Sequence, residues 1–166
     1  MTKRWEPDFD FWAARLDEMA AQMFLDMAAA AHAPLLTHPV RLQVRVPLAE
    51  QREDGLLAEG EAEALYAVED AIAGRLEGAL DAIFVGRLVA EGRATFVFYL
   101  TPAGGKRADE EAGRLVRDVA APYAVKWRVE DDAGWAYYRE LLYPDDESKQ
   151  AMLDRRARDK VLGVGA

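Results

Sequence analysis

Nucleophiles, bases and metal ligands are scarce in this chain. Ser148 is its only serine, His32 and His38 are its only histidines, and it has no cysteine. A serine triad needs its hydroxyl held against a base and close to oxyanion donors. Ser148 instead sits in Asp145-Asp146-Glu147-Ser148-Lys149, the pattern of an exposed helix start. Without cysteine there are no thiolate nucleophiles, thiolate metal sites or disulfides. His32 and His38 flank Pro34 at a separation that matches no zinc motif. Glu130, Asp131 and Asp132 offer oxygens to a hard cation, but three consecutive acids do not make a calcium loop. No catalytic residue, metal site or cofactor is expected, and the chain reads as a non-enzyme.

Two constellations carry recognition chemistry instead. Arg41, Gln43 and Arg45 alternate with apolar residues, as do Lys126 and Arg128 further on. If the two segments are neighbouring strands, Arg41, Arg45, Lys126 and Arg128 cluster on one sheet face. Such a cluster suits a small anionic ligand, because arginine binds carboxylate and phosphate in bidentate fashion. The plainer alternative is that acids from a covering element neutralise these cations. Trp135, Tyr138, Leu142 and Tyr143 fall mostly on one helical face, and aromatics with polar tips suit a partner interface. The same spacing also suits anchoring of a helix to a sheet.

Acids dominate the rest. The net charge is −9 over 166 residues. Ten acids face two arginines between Glu50 and Asp81, and seven face Arg139 between Glu130 and Glu147. An acidic surface of this kind steers basic partners, although solvated helix faces account for it equally well. The stretch Arg93-Ala94-Thr95-Phe96-Val97-Phe98-Tyr99 echoes an RNA-binding strand, with Ala94 where a stacking aromatic belongs. Phosphate contacts dominate nucleic-acid affinity, so the negative balance argues against direct nucleic-acid binding.

The elements that must hold these residues are legible in the middle of the chain. Val40, Leu42, Val44 and Val46 alternate with polar residues and predict a strand, which Pro47 helps to end. Leu65, Val68, Ile72 and Leu76 predict a helix over about 58–80. Strands are expected at 82–89 and 93–100, joined by Ala90-Glu91-Gly92. The second is apolar on both parities, as a central strand should be. Thr101 to Gly105 reads as a loop, Asp109 as the cap of a helix ended by Pro122, and Tyr123 to Val129 as a last strand. The order strand, helix, strand, strand, helix, strand predicts an α+β fold with a ferredoxin-like split βαβ core over residues 40–129. Helices follow across 133–161. Residues Phe9–Ala33 are alanine-rich and favour a helix by propensity, against two β-compatible clusters at Phe9, Phe11, Trp12 and at Met23, Phe24, Leu25.

The length suits one domain over 1–166. The N-terminus lacks a signal-peptide pattern, and no apolar run is long enough to span a membrane. The expectation is a soluble, cytoplasmic protein with no membrane contact.

Several segments together resemble a known bacterial family. They are Pro39-Val40-Arg41-Leu42-Gln43-Val44-Arg45-Val46-Pro47, Asp54-Gly55-Leu56, Val85-Gly86-Arg87, Gly92-Arg93 leading into Phe96-Val97-Phe98-Tyr99, and Asp132-Ala133-Gly134-Trp135-Ala136-Tyr137-Tyr138 continuing to Pro144. The ordered set is similar to the domain of unknown function 695 from about Trp5 to Pro144. Ala133-Gly134 departs from the proline and acid that often precede the tryptophan there. The resemblance implies an N-terminal hairpin, with Phe9–Arg15 paired to Gln22–Ala28. More distantly it implies likeness to regulator of ribonuclease activity B, a ferredoxin-like protein that binds ribonuclease E. It carries no catalytic residues. The expectation is a non-catalytic protein-interaction or regulatory module, with a basic-surfaced protein as partner. A small anionic-ligand domain, a ribonuclease E inhibitor-like regulator and a self-associating homodimer are the alternatives.

Overall fold

A computed structural model of the chain describes residues 4–118 and 124–163. Six strands form one sheet: β1 (Phe9–Leu16), β2 (Met19–Asp26), β3 (Val40–Pro47), β4 (Ile83–Ala90), β5 (Arg93–Leu100) and β6 (Lys126–Asp131). Their spatial order is β1-β2-β4-β5-β3-β6, and every neighbouring pair is antiparallel. Helix α1 (Glu59–Leu80) links β3 to β4, and α2 (Pro102–Asp118) lies between β5 and β6. The four strands from β3 onward therefore make the expected split βαβ core. The hairpin β1–β2 extends it past β4.

Alternation divides the sheet into two apolar faces. Leu42, Val44, Val46, Phe96, Phe98 and Leu100 pack against Leu65, Ile72 and Leu76 of α1 and Ala108 and Leu115 of α2. On the opposite face, Ala21, Met23, Leu25, Val85, Val97 and Tyr99 pack against Trp135, Tyr138 and Leu142. Those three belong to a lid, residues 132–143, that contains one π-type turn, Tyr137–Leu142. Strand β5 is buried on both faces beyond Arg93, which is why its apolar residues ignore parity. Helix α3 (Asp146–Leu162) follows, with the Asp145 side chain accepting from the Ser148 N–H at 2.7 Å.

The N-terminal segment is the hairpin that the family resemblance implies. Its alanines lose to tertiary packing, because Met23 and Leu25 complete the lid-side core while the intervening residues face the other way. Asp17 and Glu18 both adopt positive φ, 49° and 69°, as a tight two-residue hairpin turn requires. At Gly86, next to a register shift in β4, a Cβ would run into the Phe24 carbonyl of β2.

Helix α2 departs furthest from its expected bounds, and Asp109, expected to cap it, lies inside it. Residues 102–105 open α2 and are not a loop. Pro102 takes the first helical position, where its missing N–H costs nothing, and the Thr101 hydroxyl accepts from the Gly104 N–H at 2.9 Å. The glycines mark close packing, since a Cβ at Gly104 would lie 2.9 Å from the Leu80 carbonyl. Pro122 and Tyr123, expected at the end of α2 and the start of β6, lie outside the described residues. Among the described residues, no helix is long and apolar enough to cross a membrane.

His38 ties the second core to α1. Its ring is buried, Nε2–H donates to the Asp81 carbonyl at 3.0 Å, and the Thr37 hydroxyl donates to Nδ1 at 2.8 Å. Burial pushes its pKa below the ordinary 6.5, with the Arg4 guanidinium adding to the effect. Unfolded His38 takes up a proton near that ordinary value while the folded ring resists. Its contribution is fully present above about pH 6.5 and falls away as the pH drops toward the depressed folded value. Urea midpoints measured from pH 7.5 to pH 5 should fall for the native chain and fall less for His38→Gln.

Candidate functional site

The sheet face that carries the predicted basic cluster is closed at Arg41 and open at its other cations. The register sets Arg41 opposite Glu130, Gln43 opposite Arg128 and Arg45 opposite Lys126, so the four cations do share one face. Arg41 is fully engaged, however. It donates to Asp132 at 2.8 Å, to Glu130 at 2.7 Å and to the Gln43 side chain at 3.0 Å, and it lies over the Tyr137 ring. Arg128 pairs with Glu130 at 3.2 Å. Arg45, Lys126 and Arg128 remain at the open margin, and only Arg41 and Gln43 are covered. The acids that engage Arg41 are Glu130 of β6 and Asp132 at the start of the lid.

Asp132 organises that lid. Its carboxylate accepts from the Tyr99 hydroxyl at 2.8 Å, the Ala136 N–H at 2.8 Å, Arg41, and the Tyr137 N–H at 3.2 Å. Burial works against the charge, but these hydrogen bonds prevail and hold the carboxyl below the usual range. Burial, and then the bond to Asp132, pushes the Tyr99 hydroxyl pKa up, so it stays a donor.

The predicted aromatic interface is core. Trp135, Tyr138 and Leu142 are fully buried, and Tyr143 is partly buried. The Trp135 ring stacks on Tyr99 at 4.1 Å, and the Tyr138 hydroxyl donates to the Asp26 carbonyl at 2.6 Å. These residues anchor the lid to the sheet and present no free docking surface.

Exposed aromatics gather elsewhere, in a groove on the helix side between the hairpin and α1. The core helices do not cover β1 and β2, so Phe9, Phe11 and Phe24 face this groove, with Tyr66 of α1 across it. Phe11 is 58% exposed and Tyr66 44%, high values for large rings. A ridge divides the groove. It consists of Arg87 on β4, with its guanidinium over Phe24 at 4.4 Å and Tyr66 at 4.9 Å, and Glu69 of α1, to which it is ion-paired. Burial raises the Glu69 carboxyl above the usual range and prevails over Arg87, which pulls it down.

On one side of the ridge is an acidic compartment of about 630 Å³. Trp5, Phe9, Phe24 and Phe84 form its walls, and Asp70 and Glu77 stand along its α1 side. Phe9 stacks on Phe24 at 5.0 Å and on Phe84 at 5.7 Å. Glu77 has no ion pair among the described residues, and burial pushes its carboxyl up. On the other side is an arginine compartment, also about 630 Å³, reached by Arg52, Arg87 and Arg155. Among the described residues, no three histidine, aspartate or glutamate side chains are grouped to hold a metal ion.

Part of this groove was legible. Glu69 lies four residues after Leu65 and three before Ile72, on the apolar stripe, and an acid there signals a buried partner. Arg87 inside the apolar strand Ile83–Ala90 is the matching signal. The exposed rings of Phe9 and Phe11 show only once the hairpin is placed beside α1.

Neither a curated protein nor a solved structure matches the chain. A family model, described as a family of unknown function, matches residues 7–143, the whole sheet and lid but not α3. The chain belongs to that family of unknown function, DUF695.

Proposed function

We propose that this protein is a non-catalytic interaction module that docks a basic segment of a partner protein in the acidic compartment. The observation that carries the reading is Glu77, a carboxylate with no ion pair among the described residues, beside the exposed ring of Phe9. An incoming lysine or arginine gives Glu77 the counter-charge it lacks. Its methylenes pack on the phenyl rings, which also attract the cation through their faces. The surrounding acids of α1 steer such a segment toward the groove, and added salt weakens that steering. A ribonuclease with a basic surface is one partner of this kind.

The test is capture of a partner from host lysate by the full chain, at low and high salt, compared with Phe9→Ala and Glu77→Gln. A stoichiometric basic protein should be retained at low salt and released at high salt. Each variant should weaken its affinity by roughly 10-fold or more, the size of an interface hot spot. Equal capture by both variants overturns this docking site.

A further inference from the structure

We infer that the arginine compartment binds a small organic anion, a carboxylate or phosphate carried on a flat ring. This rests on different residues from the docking reading and does not depend on it. Three arginines and one acid, Glu59, line the cavity. Arg87 of the dividing ridge lines the cavity at 7% exposure, its guanidinium 4.4 Å from the Phe24 ring centre and 4.9 Å from that of Tyr66. Arg155 comes from α3, and its guanidinium carbon lies over the Phe11 ring at 4.1 Å. Arg52 stands at the rim, donating to Asp54 at 2.6 Å and to the Leu57 carbonyl at 3.1 Å.

Each arginine already has a carboxylate partner, and the placement of those partners matters. Among the described residues, Arg87 uses only Nη1, on Glu69. Asp10, which holds Arg155, also takes Arg156 Nε at 2.6 Å, so one carboxylate is shared between two guanidiniums. A guanidinium offers five donors, and one carboxylate does not exhaust them. The acids thus fix the orientation of the arginines and leave donors for an anion. Such pre-organisation lowers the ordering cost of binding.

The rings select the rest of the ligand. Phe11 and Tyr66 are the exposed aromatics of the cavity. Arg155 and Arg87 each take one ring face, and a flat ring can pack on the remaining exposed surface of either. A volume of about 630 Å³ is in the range of small-molecule sites. Because Arg155 belongs to α3, which lies outside the family match, the site combines the family core with a helix added to it.

Isothermal titration of the full chain with phenyl phosphate and with benzoate tests this, using inorganic phosphate and benzyl alcohol as comparison ligands. At least one aryl anion should bind with a Kd at or below about 1 mM, with both comparison ligands at least ~10-fold weaker. Which aryl anion binds more tightly separates phosphate from carboxylate. Tyr66→Ala changes an exposed side chain and Arg155→Gln a partly buried one whose partner Asp10 keeps Arg156, and each should weaken binding at least ~10-fold, whereas Arg114→Gln on α2 should not. Failure of both aryl anions to bind, equal binding of inorganic phosphate, or unchanged binding in both cleft variants overturns the inference.

Discussion

Replacing Trp135 with alanine should destabilise the fold by about 3–5 kcal/mol, the usual cost of deleting a large buried aromatic. The indole is completely buried, stacks on Tyr99 with the ring planes 8° apart, and meets Tyr138 edge-on. Its N–H donates to the His38 carbonyl at 2.8 Å. The backbone there has a φ of 54°, which a bulky residue adopts only when its surroundings hold it. Alanine would leave a cavity over Val97 and Tyr99 and remove the donor from His38. Trp127, half-buried on β6 with its N–H on Asp109, should cost far less on the same change. Urea unfolding with the m-value checked for constancy separates the two outcomes. A loss below about 1 kcal/mol for Trp135→Ala would mean that the lid is not part of the cooperative core.

Arg87→Met should be comparably damaging for a different reason. Arg87 and Glu69 are both less than a tenth exposed, and removing one member of a buried ion pair leaves an uncompensated charge, at about 3–5 kcal/mol. Replacing both, Arg87→Met with Glu69→Leu, should recover most of the loss, since a well-packed apolar pair is often neutral. The pH dependence gives a second signature. Burial already holds the Glu69 folded pKa above its unfolded value near 4.5 despite Arg87, and without Arg87 burial and the neighbouring Asp70 raise it further. Stability is lost as the pH rises from that unfolded value through the raised folded one, so Arg87→Met should be penalised more at pH 7 than at pH 4.5. Equal losses at both pH values would show that Glu69 is not left charged and buried.

The core was readable because each of its elements had a period of its own. Alternation in β3, the stripe of α1 and the two-sided apolarity of β5 each follow from where those elements pack. The hairpin was not readable from its residues, because alanines at 13, 14, 20 and 21 favour a helix until a sheet edge is available. The start of α2 was obscured by Gly104 and Gly105, which serve close packing and resemble a loop. The spacing of Trp135, Tyr138 and Leu142 was correctly seen as one face. Whether that face met solvent or sheet depended on the lid folding over Tyr99, a contact between distant parts of the chain. Arg41 shows the same limit, since its alternation placed it correctly but Glu130 and Asp132 consume it. The groove beside α1 exists only because the hairpin widens the sheet beyond the two core helices.

The most direct test of the docking reading is chemical-shift mapping on the isotope-labelled full chain, titrated with an arginine- and lysine-rich peptide. The account predicts perturbations concentrated at Phe9, Phe24, Phe84 and the α1 segment from Asp70 to Glu77, reduced by salt and by Glu77→Gln. Perturbations confined to the other acid-rich segment, Glu130 to Glu147, or spread evenly over all exposed acids, would contradict it.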